Sequence, residues 1–395
     1  MQISPETQLF IREHQTDDVR VLALQARKYP NVDMPTAITQ IAGRQVAAEK
    51  IPSWREMEEI WYPKHLSLEQ CSSEITARYK ARLSQGDSLT DLTGGFGIDC
   101  SFLATGFKSA TYVERQEELC EIAAHNFPIL HLNHINVRNE DGVAYLQTMS
   151  PVDCIFLDPA RRNEHGGKTV SIADCEPNVA ELEDLLLSKA SRIMIKLSPM
   201  LDLSLALKEL KHTQEVHILS VNNECKELLI LLGQTSPAEI TIHCVNLFTK
   251  GTQEEQHFVF TREQEQRSQC TYTDSLGDYL YEPNASLLKA GAFRSIAAAY
   301  PVRKLHPNSH LYTSDTFIEN FPGRIFRIVN QCSFNKKEVK ENLADLKKAN
   351  VTVRNFPATV AELRKRLHLT EGGDTYLFAS TLNNGQKVII RCEKV

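Results

Sequence analysis

Asp91-Leu-Thr-Gly-Gly-Phe-Gly97, followed by Ile98-Asp99, is the stretch on which the fold of this chain turns. It closes a strand-like run at 88–93 and opens an amphipathic stretch at 98–105, which predicts a strand, a glycine turn and a helix. Glycines suit that turn because the backbone must bend tightly and leave a ligand room to approach. Downstream, short apolar runs alternate with amphipathic stretches, the pattern of βαβ units on a mainly parallel sheet. Strands are predicted at 110–114, 134–138, 153–158, 192–197 and 215–221, with helices at 116–126, 140–148, 176–190 and 202–211. Only Asn222-Asn-Glu-Cys225 separates His217–Val221 from Lys226–Leu232. That is too short for a parallel crossover, so these last two strands are expected to pair antiparallel. The fold class read here is α/β, a doubly wound seven-stranded sheet with an antiparallel last strand. Two further strands are expected at 239–247 and 256–261.

Around this sheet the texture changes twice. Residues 1–85 read as helical, with Val19, Leu22, Leu24 and Ala26 at helical spacing and Pro30, Pro35, Pro52 and Pro63 cutting the stretch into pieces. A helix from Leu66 to Leu83 is expected, capped by Ser67 with Gln70 three residues on. Beyond the sheet, a helix is expected at 285–299 and a strand at 324–330. Helices capped by Asn335 and Thr359 flank a strand at 351–353, and a closing hairpin runs through Asn383-Asn-Gly385.

The chain has 395 residues, which suggests two or three domains. No window approaches the apolar length of a membrane helix, and MQISPETQLFIREH lacks the basic start and apolar run of a secretory signal. The ten cysteines are scattered without a C-x-x-C pair, which favours reduced thiols in a cytoplasmic protein. The net charge is −6, but 290–395 carry 17 Lys+Arg against 9 Asp+Glu. A basic terminal module on an acidic body suits approach to a polyanion; a tail that evens out the total charge is the alternative.

Three nucleotide readings of the glycine turn compete. A phosphate-binding loop needs a Lys-Ser/Thr pair where Ile98-Asp99 stands, and the nicotinamide fingerprint needs Gly-x-Gly-x-x-Gly. Asp91 and Asp99 would also repel a pyrophosphate. A cationic ligand suits that acidic border, and S-adenosylmethionine carries a sulfonium and an ammonium without phosphate. A glycine turn with no ligand remains the other reading. Further acids follow in register. Glu114 ends the second strand, where a carboxylate can accept ribose hydroxyls. Asp141, before Gly142, follows the third strand and can accept from an adenine amino group. Asp158-Pro159 ends the fourth. All would line the crevice at the carboxyl ends of the strands.

With these residues in place, the stretch 66–235 resembles the class I S-adenosylmethionine-dependent methyltransferases, with their Rossmann-like seven-stranded sheet. The resemblance implies that Asp91, Thr93, Gly94, Gly95 and Gly97 wrap the methionine part of the donor, that Glu114 holds the ribose and Asp141 the adenine. It implies a catalytic role for Asp158, Pro159 and Arg161, since Asp158-Pro-Ala-Arg161 is similar to the fourth motif of nucleic-acid methyltransferases. Ala160 and Arg161 depart from that motif, which ends Pro and an aromatic. More narrowly, Gly94–Asp99, Leu157–Arg162, His306–Tyr312 and the basic tail resemble a bacterial group with a THUMP-like C-terminal domain. The division implied is a helical region at 1–85, a methyltransferase domain at 86–262, a linker or small ferredoxin-like α+β region at 263–322 and a THUMP-like α+β domain at 323–395. THUMP modules contact RNA, so RNA is the substrate implied. The alternatives are a non-catalytic S-adenosylmethionine- or RNA-binding protein, and a methyltransferase acting on a small molecule or protein.

Other candidates carry less. Lys336, Lys337, Lys340, Lys347 and Lys348 are expected on one helix and Arg364, Lys365 and Arg366 on the next, arrays that could meet phosphates or simply face solvent. His306, His310 and Asp315 lack a completing ligand, so no metal site is expected. Lys196 ends the fifth strand and faces the crevice. Arg161 and Arg162 could steady an anion. Cys154 and Cys225 are expected to be inert thiols, and Trp54 and Trp61 core anchors.

Overall fold

The computed structural model describes residues 3–161, 171–235, 237–252 and 255–395. They form two compact units, Met1–Gln214 with Leu229–Pro237, and Glu215–Leu228 with Ala238–Val395.

The α/β sheet is built from Gly86–Asp91 (β1), Phe107–Glu114 (β2), Ile135–Asn139 (β3), Val152–Leu157 (β4), Ala190–Leu197 (β5), Thr213–Val221 (β6), Glu224–Gly233 (β7), Thr241–Leu247 (β8) and Glu255–Thr261 (β9). In the first unit the order is β7-β5-β4-β1-β2-β3. β1 runs parallel to β2 and β4, β2 to β3 and β4 to β5, with helices in the connections. Central strands of such a sheet are covered on both faces, so they read as unbroken apolar runs. Cys154–Leu157 and Ile193–Ile195 are buried throughout. Asp91 stands opposite Tyr112 on one side and Phe156 on the other. The carboxyl ends of β1, β2 and β4 are thereby level.

β8 runs parallel to β6 and β9 antiparallel to β8 in the second unit. The connection from β6 to β7 is shorter than the sequence suggests. It is Asn222 and Asn223 alone, both at positive φ (50° and 68°), the conformation of a two-residue hairpin turn.

The N-terminal helices belong to the first unit and bury a purpose the sequence hides. Trp54 and Tyr62 pack on Phe96 of the glycine loop, at ring separations of 5.2 and 6.2 Å, within one cluster that also holds Ile51, Leu68 and Ala77. Asn126 pins the same region by accepting from Trp61 N and donating to Trp61 O, both at 2.9 Å. The expected helix over 66–83 is two pieces, His65–Gln70 and Glu74–Arg82. Ser67 lies inside the first, whose N-cap is Lys64. The chain leaves the helix between the two pieces, where the Ser72 side chain joins a buried polar network described below. Leu24, expected on the apolar face, is 88% exposed, whereas Leu22 is buried.

The second unit contains a mixed seven-stranded sheet made from Tyr279–Pro283 (β10), Arg303–Lys304 (β11), Tyr312–Ser314 (β12), Gly323–Ser333 (β13), Asn350–Arg354 (β14), Thr375–Thr381 (β15) and Lys387–Lys394 (β16), ordered β11-β12-β10-β13-β16-β15-β14. The Asn335 side chain accepts from Glu338 N, and Thr359 with Glu362 forms a full capping box. The expected helix at 285–299 is divided by Gly291, which sits at φ +76°. Helix Lys336–Leu343 ends before Lys347 and Lys348, so the five lysines do not share one helix. All five are exposed. The ten cysteines are free. Among the described residues no helix is long and apolar enough to cross a membrane.

Candidate functional site

The loop after β1 is held from several sides. Leu92 N donates to Phe156 O (3.1 Å) and Gly94 N to Val113 O (2.9 Å), which ties the loop to β4 and β2. A Cβ on Gly94 would lie 2.2 Å from the Tyr112 ring, so only glycine fits there. The Tyr112 hydroxyl donates to Gly95 O at 2.5 Å. Gly95 (φ +56°) and Gly97 (φ +86°) take left-handed conformations that other residues adopt at a cost. Thr93 Oγ1 accepts from Asp158 N at 2.6 Å, joining the ends of β1 and β4.

Asp91 and Glu114 face this loop. Asp91 is 1% exposed; Oδ1 accepts from Thr93 N at 2.9 Å, while Oδ2 is buried with no hydrogen-bond partner among the described residues. Burial pushes its carboxyl well above the usual carboxylate range, against the Thr93 N–H and with help from the negative Asp99, Asp158 and Glu114. Glu114 accepts from Gly95 N through Oε2 (2.9 Å) and from Gln116 N through Oε1 (2.8 Å). Asp141 is exposed and caps helix Gly142–Thr148, with Oδ1 accepting from Val143 N and Ala144 N at 3.0 Å. Gly142 is required by close approach, since a Cβ would meet Leu92 O at 2.1 Å.

Behind the loop lies a network that sequence reading found only in part. Asp99 is buried between two ammonium groups, Lys80 Nζ at 2.9 Å from Oδ1 and Lys196 Nζ at 3.4 Å from Oδ2. Ser72 Oγ donates to Asp99 Oδ2 (2.7 Å) and accepts from Lys80 (2.9 Å) and Lys196 (3.1 Å). Burial raises the Asp99 carboxyl, but the charges of Lys80 and Lys196 outweigh it and hold the group down to about 2. Lys196 reaches on to Asp158 Oδ2 at 2.5 Å. Enclosure raises the Asp158 carboxyl, and Lys196 draws it back. Lys196 was legible at the end of β5. Lys80 and Ser72 were missed, although Lys80 follows Thr76 by one helical turn on the buried face, where a lysine needs a partner.

The remaining sequence candidates separate. Pro159 is buried beside Asp158. The Arg161 side chain and all of Arg162 lie outside the described residues. His306 Nδ1 accepts from Asn308 N (3.0 Å) and faces Asn355 Nδ2 (2.9 Å), whereas Asp315 pairs with Arg303. His310 stacks on Phe293 at 3.6 Å. Burial pushes the Cys154 and Cys225 thiols up to about 11, which leaves them un-ionised at neutral pH. Trp54 is buried, and Trp61 stacks on His125 at 3.6 Å.

With a methyl donor as the candidate ligand, the residues present fit. Among the described residues, Asp91 offers an unpartnered buried acceptor for an ammonium, Glu114 offers acceptors beside the loop, and beyond the residues adjoining Gly95 only Thr93 O lies within 4 Å of where its Cβ would stand.

Comparison with known proteins bears on the whole chain. A ferredoxin-like domain family matches residues 279–322, and a THUMP domain-like family matches 323–394. No curated protein matches at a significant level. Among solved structures, a protein of Porphyromonas gingivalis W83, provisionally classed as a methyltransferase, is 34% identical, with all of both chains covered and a TM-score of 0.87. An rRNA methylase from Streptococcus thermophilus is 14% identical over 40% of this chain and 93% of its own (TM-score 0.30). A Streptococcus mutans protein in complex with S-adenosylhomocysteine, also provisionally classed as a methyltransferase, is 12% identical over 40% and 96% (TM-score 0.30). These last two likenesses are too weak to bear on this chain. Identity of 34% along the full length of both chains is not: this protein belongs to the class I methyltransferase family with a THUMP-like C-terminal domain.

Proposed function

We propose that this chain is an S-adenosylmethionine-dependent methyltransferase acting on RNA in the cytoplasm, with β1–β7 as its class I sheet and β7 as the reversed last strand. The observation that carries the donor assignment is Asp91 Oδ2, a buried carboxylate oxygen without a partner at the mouth of a glycine loop. A buried polar group left unsatisfied costs about 1–3 kcal/mol, and an ammonium would relieve it. Asp91 would hold that ammonium, Glu114 the ribose and Asp141 the adenine, with Thr93, Gly94, Gly95 and Gly97 shaping the loop around the methionine part. The donor supplies a methyl group made electrophilic by its sulfonium.

Asp158 and Pro159 stand at the carboxyl end of β4, where the acceptor would bind. Lys196 fixes the Asp158 side chain, so one carboxylate oxygen has a set direction. From there Asp158 would orient the nucleophile and take up its proton, while Pro159 would border the acceptor. Orientation at near-attack distance is the main source of acceleration in such a displacement, with general-base help from Asp158. RNA is supported by the THUMP-like unit and its exposed Lys336, Lys337, Lys340, Lys347 and Lys348. Part of the basic array is already used internally: Arg364 pairs with Glu371, and Arg366 lies 4.1 Å over the Phe334 ring. Ten free cysteines suit a reducing compartment.

The test is transfer of tritiated methyl from S-adenosylmethionine to bulk RNA by the full chain. Label in RNA is expected, lost in Asp158→Ala while S-adenosylhomocysteine binding survives. Label appearing only in protein or small molecules would refute the RNA substrate, and donor binding without any transfer would refute the enzyme.

A further inference from the structure

Away from the glycine loop, β6, β8 and β9 collect four side chains that can ligate metals. His243 of β8 stands directly opposite His217 of β6 and opposite Val259 of β9. Side chains alternate along a strand, so Glu215, His217, His243 and His257 share one face of the sheet. Glu215 Oε2 lies 3.2 Å from His217 Nε2 and 3.9 Å from His243 Nε2, and one ligand atom from each of the three lies within 4.8 Å of the others. The His217 and His243 rings are stacked at 4.3 Å and 8°.

These separations suit one ion. In a tetrahedral site with bonds of about 2.0–2.1 Å, neighbouring ligand atoms are about 3.4 Å apart. Because the His217 and His243 rings are near-parallel, their in-plane lone pairs meet at one ion only after one ring turns substantially, and His243, 20% exposed, is the ring with room to turn. The ring behind His243 supplies the outer contact such a ligand needs, because His243 Nδ1 lies 3.2 Å from His257 Nε2. With the proton on His243 Nδ1 donated to His257, His243 Nε2 keeps its lone pair on the Glu215 side; that tautomer is an assignment from the contacts. His217 is 3% exposed, His243 20% and Glu215 42%, which leaves a fourth position open toward solvent. Two imidazoles with one carboxylate favour zinc, cobalt or nickel over magnesium or calcium, which take oxygen ligands.

We propose that Glu215, His217 and His243 form a binding site for one zinc-class divalent cation, which cross-links β6 to β8 and carries a water as fourth ligand. The site is independent of the methyl-donor assignment. It is tested on untagged, chelator-treated full-length protein, titrated with zinc chloride or cobalt chloride alone and followed by calorimetry and visible absorption. One equivalent is expected to bind, cobalt is expected to show the visible bands of a four-coordinate ion, and zinc is expected to raise the melting temperature. His243→Gln and Glu215→Gln, both at partly exposed positions, are each expected to weaken zinc binding at least about tenfold. Their melting temperatures without metal report that they fold. Absence of zinc binding in the wild type, or zinc affinity that either variant leaves unchanged, overturns the site.

Discussion

Asp91 and Asp99 stand at the two ends of one glycine loop, both buried, and their surroundings are opposite. Asp99 has two ammonium groups and a hydroxyl around it, and its charge is fully matched. Among the described residues, Asp91 has one backbone N–H and no ion pair, and its second oxygen is unpartnered. The difference separates two uses of a buried carboxylate. A carboxylate matched by the chain itself holds structure, here fastening the N-terminal helix Glu74–Arg82 to helix Ile98–Ala104 and β5. A carboxylate left without a partner among the described residues is open to a ligand, the role proposed above for Asp91.

The largest expected effect breaks the matched side. Asp99→Ala leaves Lys80 and Lys196 buried without their shared partner, and removing one member of a buried ion pair costs about 3–5 kcal/mol. Urea unfolding of the variant should show that loss. A stability close to wild type would mean that the network is ornamental. Asp91→Ala should do the reverse. The fold should persist, and affinity for S-adenosylhomocysteine should fall about a hundredfold, roughly 2.8 kcal/mol. Calorimetry reads the second effect, and thermal melting the first.

A pH series sharpens the same contrast. The Asp91 carboxyl is raised in the folded state, so the folded chain keeps a proton that the unfolded chain releases above about pH 4. The stabilisation is complete below that pH and is lost as pH climbs toward the raised value, by about 1.4 kcal/mol per pH unit. Asp91→Asn removes this slope, so its melting temperature relative to wild type should increase with pH. Asp99 is held low, and its contribution has the opposite sign: it is present above the ordinary carboxylate range and lost as pH falls toward about 2. The smallest expected effect concerns the second unit. Lys336, Lys337 and Lys340 changed together to Glu should weaken RNA binding about tenfold and flatten its salt dependence, with the donor affinity unaltered. Filter binding across a salt series measures it.

What could be read in advance follows the range of the interactions. The glycine loop, the acids at strand ends and the caps at Asn335 and Thr359 are local patterns, and each is found where the residues placed it. The contact of Ser72 with Asp99 was not legible locally, because Asp99 lies far along the chain. Asp141 was assigned a ligand contact, and its Oδ1 proves to cap a helix, a role that a strand-end acid does not advertise. The two strands expected at 239–247 and 256–261 are present as Thr241–Leu247 and Glu255–Thr261. Glu215-Val-His217 showed an alternating face, but its ligand character depends on His243 reaching it across the sheet.

The most direct test of the account is calorimetric titration of the full chain with S-adenosylhomocysteine at two pH values and in two buffers of different ionisation enthalpy. The account predicts binding accompanied by release of a proton from Asp91, affinity that strengthens with pH, and loss of both the proton and most of the affinity in Asp91→Asn. Binding that Asp91→Asn leaves intact, or that releases no proton, would contradict it.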